Sequence, residues 1–207
     1  HSLTAVMDLV KDGERVVVVD GDGGLLSVRV DASDEPELLV AAMPGANLIP
    51  GSWTADGRRF SYVVQSRSGE DIWVLSLTGE SESAPFLSSP YREYNPAFSP
   101  DGNWLAYASD ESGQFEVYVR RYPEGTDRVA VTQGGGLNPV WSRDGRKLFY
   151  VRRGDGVFVV PVTLGSAPVF GESNRLFLSG SGSLSFDRSI PKVFYGESRG
   201  FVNYGQV

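Results

Sequence analysis

Residues 95–107 read NPAFSPDGNWLAY, and residues 138–150 read NPVWSRDGRKLFY. Both stretches contain an Asn-Pro pair, an aromatic residue, an Asp-Gly pair and a final tyrosine, each at the same relative position. They begin 43 residues apart. Self-similarity at such a period is the sequence signature of a repeat architecture, in which each unit is one supersecondary element.

The Asp-Gly pair extends this repeat along most of the chain. It occurs at Asp12-Gly13, Asp56-Gly57, Asp101-Gly102 and Asp144-Gly145, so successive pairs are 44, 45 and 43 residues apart. Aromatic residues keep the same spacing around the last three pairs, at Trp53, Phe98 and Trp141 before the aspartate and at Tyr62, Tyr107 and Tyr150 after it. The spacing therefore predicts units of about 44 residues.

Each unit is interpreted as four short strands. In the third unit the predicted strands are 95–99, 104–108, 115–121 and 128–132. Pro100 and Gly102 suit the tight turn between the first two, and apolar and polar residues alternate over 115–121, which predicts a half-exposed strand. No segment of a dozen residues carries a helical apolar stripe without Gly or Pro. Four-stranded units at this period predict an all-β fold, a β-propeller of about five four-stranded antiparallel blades.

The whole chain, residues 1–207, is predicted to form one propeller domain. The blades are placed at approximately 5–41, 49–88, 94–132, 137–178 and 183–205. The fifth unit lacks the Asp-Gly pair and ends after its third strand, at Phe201–Tyr204. We expect residues 1–4 to supply the missing outer strand and close the ring, which removes open sheet edges. The alternative is an open arc taken from a larger propeller.

Composition argues against most catalytic chemistry. The chain has no cysteine, and its single histidine is His1, so Ser-His-Asp and Cys-His arrangements and the usual zinc ligands are missing. The net charge of −7 disfavours nucleic acid, and no apolar run approaches the roughly 20 residues of a membrane span. We therefore predict no catalytic residues, no cofactor and no metal site.

Two groups of aspartates deserve a structural interpretation. Asp56, Asp101 and Asp144 suggest acids for glycan chemistry, but aspartate in a tight turn accepts hydrogen bonds from its own backbone. The run Asp20–Gly24 is similar to part of a calcium loop, but it lacks the further ligands of an EF-hand. Both patterns favour hairpin turns.

The mouth of the central channel is the more plausible binding site. Segments leading into the first strand of each blade converge around one rim of a propeller. The predicted site consists of Tyr91, Arg92, Glu93, Tyr94, Asn95 and Asn138. Tyrosine and arginine favour binding surfaces, although a merely solvated rim is an equal alternative. The matching segment before the second blade, 47–49, is predicted to be an apolar loop.

Residues 95–107 and 138–150 resemble the WD-repeat-like propeller repeat of the TolB family. Residues 71–162 are similar to the C-terminal blades of propellers appended to bacterial serine/threonine protein kinases, where the propeller is regarded as a sensing or interaction module. The resemblance implies a protein, peptide or small-molecule ligand at the channel mouth, and it favours an extracytoplasmic, periplasmic location. It weakens after residue 170.

Three classes of function follow from these observations. The first is a non-catalytic recognition domain, part of a larger bacterial signalling protein. The second is a carboxylate-dependent enzyme acting on glycans, which requires two acids at a suitable separation in the channel. The third is the gating propeller of a prolyl-oligopeptidase-like hydrolase. The missing catalytic groups and the family resemblance favour the first class.

Overall fold

A computed structural model describes residues 5–9, 15–79, 81–177, 184–187, 192–195 and 201–203, and side chains over 15–79 and 81–176. All regular structure within these residues is β-strand, as the sequence predicts. None of the described residues belongs to a helix long and apolar enough to cross a membrane.

Within the described residues, the strands form five antiparallel sheets in chain order. The first contains β1 (Ala5–Leu9), β2 (Arg15–Val19), β3 (Leu25–Arg29) and β4 (Glu37–Val40). The second contains β5 (Asn47–Trp53), β6 (Arg59–Ser66), β7 (Gly69–Ser76) and β8 (Glu82–Leu87). The third contains β9 (Glu93–Phe98), β10 (Trp104–Ser109), β11 (Glu116–Arg121) and β12 (Arg128–Ala130). The fourth contains β13 (Leu137–Trp141), β14 (Lys147–Arg152), β15 (Gly156–Thr163) and β16 (Val169–Phe170), with β17 (Asn174–Phe177) also pairing with β15. The fifth contains β18 (Leu184–Asp187), β19 (Lys192–Tyr195) and β20 (Phe201–Asn203).

Neighbouring sheets meet through their first strands. β1 contacts β5, β5 contacts β9, β9 contacts β13, and β13 contacts β18. Successive four-stranded meanders that meet along their first strands are the blades of a propeller. The all-β propeller predicted from the repeat is therefore confirmed. The predicted pairing of residues 1–4 with the fifth sheet lies outside the described residues and stays a prediction, and so does the turn at Asp12-Gly13.

Three apolar clusters lie between the sheets over the part of the chain whose side chains are described. The cluster between the first and second sheets includes Val17, Leu25, Trp53 and Phe60. Ile72, Val74, Leu105 and Tyr107 join the second sheet to the third. The third and fourth sheets share Trp104, Ala106, Trp141, Leu148 and Tyr150. The repeated aromatic residues thus fill the spaces between blades, where they remove large areas from water.

Burial on both faces corrects one expectation from the sequence. Residues 116–119 of β11 are all buried, so this strand is not half-exposed as the alternation predicted. Its polar member, Glu116, is 4% exposed because the chain supplies hydrogen bonds to its carboxylate. A sheet packed between two others has no face in solvent. The alternation of apolar and polar residues along its strands then does not indicate which residues are exposed.

The repeated Asp-Gly turns have one hydrogen-bond pattern. The Thr54 hydroxyl donates to the Asp56 carboxylate at 2.6 Å, which also accepts from the Arg58 amide at 3.0 Å. Gly57 adopts φ 69°, a left-handed conformation that favours glycine. These hydrogen bonds hold the pKa of Asp56 below its ordinary value. Equivalent hydroxyl and amide bonds form at Asp101 and Asp144. The three aspartates therefore close hairpins at the end of the sheets opposite the start of the first strands.

The run Asp20–Gly24 is also a hairpin turn, between β2 and β3. The Asp20 carboxylate accepts hydrogen bonds from the amides of Asp22 at 3.0 Å and Gly24 at 2.8 Å. The Asp20 amide in turn donates to the carbonyl of Gly24 at 3.0 Å. The carboxylate is thus engaged in closing its own turn.

Gly51 allows the first strands of the second and third sheets to approach closely. A Cβ atom there would lie 2.6 Å from the Ser61 carbonyl oxygen and 2.7 Å from Cγ of Pro96. One residue further on, the Ser52 hydroxyl accepts a hydrogen bond from the Phe98 amide at 2.7 Å across the two sheets. The contact between blades at this point therefore requires a residue without a side chain.

Gly51→Ala is expected to lower the free energy of unfolding by about 1–3 kcal/mol, the range for overpacking a filled site. Urea denaturation measures it. Gly165→Ala is the matched control, because the nearest atom to its Cβ would be the Ala167 carbonyl oxygen at 3.8 Å. Equal losses in the two variants would show that close approach is not the reason for glycine at position 51.

Candidate functional site

The starts of the first strands, the ends of the second and the starts of the third lie at one end of each sheet. In the third sheet Glu93 pairs with Ser109, and Ser109 pairs with Glu116. In the fourth sheet Leu137 pairs with Val151. This end carries the predicted rim.

A pocket of about 370 Å³ opens at this end, between the third and fourth sheets. We call it the rim pocket. It is lined by Arg92, Tyr94, Asn95, Phe115, Leu137, Asn138, Val151 and Arg153. Two guanidinium groups and two side-chain amides thus surround aromatic and aliphatic groups, a combination typical of sites that bind an amphipathic ligand.

Asn95 and Asn138 occupy equivalent bulges in β9 and β13. Their φ angles are 52° and 51°, the left-handed region that asparagine tolerates better than most residues. The strand pairing shifts register at both places. A bulge redirects the side chains of its strand, so both amides belong to the pocket lining. The Asn-Pro pair of the repeat therefore lies inside the first strand.

A buried carboxylate from the second sheet supports the tyrosine of the rim pocket. Glu70, 8% exposed, accepts a hydrogen bond from the Tyr94 hydroxyl at 2.6 Å. Gln65 donates to the same hydroxyl at 3.1 Å and to Glu70 at 3.2 Å. The Tyr94 ring meets Phe115 edge-on, with centroids 5.8 Å apart. Burial, together with the hydrogen bond to Glu70, raises the pKa of Tyr94 above its ordinary value. Tyr94 is thus held rigidly at the mouth.

Of the two arginines of the rim pocket, one has an acidic partner in the described chain and the other has none. The Arg92 guanidinium lies 3.4 Å from Glu70, and its backbone amide donates to Asp110 at 2.9 Å. Arg153 is exposed, on the turn between β14 and β15, and forms no hydrogen bond or ion pair within residues 15–79 and 81–176. The pocket consequently presents one positive charge that the described chain does not neutralise.

The six predicted rim residues divide between two places. Arg92, Tyr94, Asn95 and Asn138 line the rim pocket. Tyr91 and Glu93 line a second pocket of about 230 Å³ between the second and third sheets, and Glu93 is only 4% exposed. Adjacent residues of a strand leave on opposite faces, which separates Glu93 from Tyr94. Residues 47–49, predicted as an apolar loop, begin strand β5 instead.

Glu70, Phe115 and Arg153 do not appear in the sequence prediction. All three lie beside the turns that join second and third strands, and in an antiparallel meander these turns share the end at which first strands begin. A glycine recurs near each of these turns at a spacing close to that of the repeat, at Gly69, Gly113 and Gly156. A predicted site that included those turns would have contained Glu70, Phe115 and Arg153.

The chain is similar to known proteins of one family. The family model described as the TolB beta propeller domain matches residues 9–178, so the chain belongs to that family. A protein TolB homolog from Chlorobaculum tepidum is 26% identical over 163 residues, covering 72% of this chain and 37% of the relative. An uncharacterized peptidase, YuxL, from Bacillus subtilis is 30% identical over 113 residues, covering 50% of this chain and 17% of the relative.

The crystal structure of TolB from Acinetobacter baumannii has the same fold. It superposes with a TM-score of 0.72 at 16% identity, covering 91% of this chain and 48% of that chain. The present chain thus spans less than half the length of these TolB proteins. Family and fold agree on a TolB-like β-propeller, consistent with a protein-interaction module.

Proposed function

We propose that this propeller is a non-catalytic recognition domain that binds an extended protein segment carrying a carboxylate in the rim pocket. The observation that carries the proposal is Arg153, an exposed guanidinium without a partner in the described chain, beside a pocket whose other charge, Arg92, is already paired. Arginine pairs with a carboxylate in a bidentate geometry. The chain as a whole carries a net charge of −7, so an unpaired positive group at the rim pocket contrasts with the rest of the protein. This contrast favours a role for Arg153 in attracting a negatively charged partner.

The rest of the lining suits an extended peptide. The side-chain amides of Asn95 and Asn138 can each donate to a peptide carbonyl and accept from a peptide amide. Phe115, Leu137 and Val151 supply apolar contact area, and the hydrogen bonds to Tyr94 fix its ring before binding. A preorganised aromatic residue reduces the entropy lost on association.

The rim pocket offers little to an enzyme. Among the described residues, its lining contains two arginines and two asparagines but no aspartate, glutamate, serine or threonine. A glycan-active enzyme needs two carboxyl groups beside its substrate. The narrower resemblance to kinase-appended blades stays a prediction, and it agrees with a recognition role.

A gating propeller of a hydrolase is the second candidate, favoured by the similarity to the Bacillus subtilis peptidase. In that case the rim contacts a substrate on its way to another domain. Both functions predict peptide binding at the rim. Only the gating function predicts that the longer protein also cleaves the peptide, so mass spectrometry of bound peptides separates the two.

The test is to select binders from a displayed library of random decapeptides and to measure their affinity by fluorescence polarisation. We expect the selected peptides to be enriched in acidic residues. Arg153→Glu is expected to lower their affinity at least about tenfold, the effect of losing one charge-assisted hydrogen bond. Arg143→Glu is the matched control, since Arg143 is an exposed arginine in the turn at the opposite end of the fourth sheet.

Two results would overturn the proposal. One is a set of selected peptides without acidic enrichment. The other is an equal loss of affinity in Arg143→Glu and Arg153→Glu, which would indicate a general effect of charge. Thermal melting should be unchanged in both variants, because both side chains are exposed.

A further inference from the structure

The second pocket, between the second and third sheets, contains charged groups that the rim pocket does not use. We call it the interblade pocket. Its lining is Phe86, Leu87, Ser88, Ser89, Tyr91, Glu93, Tyr107, Ser109, Glu111 and Arg120. Ser88 and Tyr91 are exposed, so the pocket communicates with solvent. Its volume is about 230 Å³.

Three buried polar atoms of this lining have no hydrogen-bond partner within the described chain. They are Oε2 of Glu93, Oε1 of Glu111 and Nε of Arg120. Glu93 is more than nine-tenths buried, and its other oxygen accepts a hydrogen bond from the Ser89 hydroxyl. Buried polar atoms are nearly always satisfied in native proteins, because an unpaired polar atom loses its hydrogen bonds to water without replacing them. Three such atoms around one cavity form a polar lining that a bound group can satisfy.

The unsatisfied donor and acceptor atoms select the kind of ligand. Glu111 is already ion-paired with Arg128, and Arg120 already donates from Nη1 to the Gly125 carbonyl at 2.8 Å. The unsatisfied groups are thus two carboxylate acceptors and one donor. An ammonium group supplies hydrogen bonds to two acceptors, and a neighbouring oxygen atom can accept from Arg120.

We propose that the interblade pocket binds a primary ammonium group with a hydrogen-bond acceptor beside it, through Glu93, Glu111 and Arg120. Such a group belongs to a small amino alcohol or amino amide, or to a lysine residue of a partner whose side-chain ammonium lies against a backbone carbonyl. The ammonium lies between the two carboxylates, and the aliphatic part of the ligand contacts Phe86 and Leu87. This site is independent of the rim pocket and lies on the other face of the third sheet.

The titratable groups around Glu93 make binding depend on pH. Burial raises the pKa of Glu93 to about 7, against the hydrogen bond from Ser89, with the negative charges of Asp71 on β7 and Glu111 adding to the rise and Arg120 on β11 opposing it. On β10, burial raises the pKa of Tyr107 to about 12, so its hydroxyl stays neutral. An ammonium beside Glu93 favours the ionised carboxylate. Binding therefore releases a proton, and affinity falls as the pH drops through 7.

The experiment is calorimetric titration with ethanolamine, with ethylene glycol as the uncharged control and with Nα-acetyl-lysine amide as a mimic of a partner side chain. We expect saturable binding of an amine above pH 7 and none of the glycol. Below pH 7 the affinity is expected to fall about tenfold per pH unit, because Glu93 must then lose its proton to bind. Proton release is measured by repeating the titration in buffers of different ionisation enthalpy.

Glu93→Gln and Glu111→Gln are expected to weaken amine binding at least about tenfold, the worth of a charge-assisted contact. Glu93→Gln should also remove the pH dependence, which a merely structural change would not do. Arg153→Glu, at the rim pocket, should leave amine binding unchanged, so failure of one site is distinguishable from failure of the other.

The source of the ammonium follows from which compound binds. Ethanolamine alone indicates a free small molecule, and the lysine derivative alone indicates a partner side chain. If neither amine saturates the protein up to about 100 mM, or if Glu93→Gln binds as tightly as the parent, the proposal is overturned.

Discussion

Trp141→Ala is expected to lower the free energy of unfolding by about 3–5 kcal/mol, the range for removing a buried large aromatic side chain. Trp141 is 4% exposed and belongs to the cluster shared by the third and fourth sheets. Its indole Nε1 donates to the Ala97 carbonyl of the third sheet at 3.0 Å. The substitution therefore leaves a cavity between two blades and removes a hydrogen bond that joins them. Urea denaturation followed by fluorescence and circular dichroism measures the loss.

Two further variants isolate the cause. Trp141→Phe keeps much of the packing and loses the hydrogen bond to Ala97, so we expect a smaller loss of about 1–2 kcal/mol. Tyr91→Ala removes an aromatic side chain that is 45% exposed, and we expect a change within about 0.5 kcal/mol. A loss below about 1 kcal/mol for Trp141→Ala would contradict its place between the blades.

Glu116→Ala is expected to cost about 3 kcal/mol, because it removes the charged acceptor that four hydrogen bonds share, one of them from the buried Thr132 hydroxyl. The Glu116 carboxylate accepts hydrogen bonds from the amides of Gly134 at 2.7 Å and Gly135 at 2.9 Å, which belong to the crossing into the fourth sheet. The Thr132 hydroxyl and the Gln114 side chain complete its shell at 2.5 and 2.7 Å. One side chain thus fixes the connection between two blades. Chemical denaturation measures the cost.

The same carboxylate makes stability depend on acid. Burial opposes its ionisation, but the hydrogen bonds from Thr132, Gly135, Gly134 and Gln114 prevail and hold the pKa of Glu116 below its ordinary value. A lowered folded-state pKa stabilises the protein above the unfolded pKa, and this contribution is lost as the pH falls through the folded value. Glu116→Gln should therefore be less stable than the parent at neutral pH, with the difference shrinking below about pH 4. A constant difference between pH 7 and pH 3 would contradict this role.

The sequence was informative wherever the structure is decided by neighbouring residues. The Asp-Gly turns close through bonds among residues 54–59 and their equivalents, so a short motif predicts them in full. Strand burial depends on distant partners instead. Glu116 looks exposed in the sequence because the groups that solvate it, Thr132 and the glycines after it, lie sixteen or more residues away. Alternation alone could not predict that β11 is covered on both faces.

The candidate site was predicted only in part for a similar reason. Four of the six proposed residues line the rim pocket, but Glu93 and Tyr91 line the interblade pocket. A contiguous run of sequence does not give one surface when a strand sends successive side chains to opposite faces. The arginine that carries the functional proposal, Arg153, comes from a different turn of a different blade.

One repeat of the sequence corresponds to one blade. Because β10 is covered on both sides, a single blade cannot fold by itself. A single blade cut from the chain would expose two apolar surfaces, with Leu105 and Tyr107 on one and Trp104 and Ala106 on the other. Each sheet is completed only by its neighbours, so stability is a property of adjacent pairs. When a gene gains or loses one repeat, two blades that were not neighbours must pack against each other. The residues between blades should therefore limit how freely the number of blades can change in evolution.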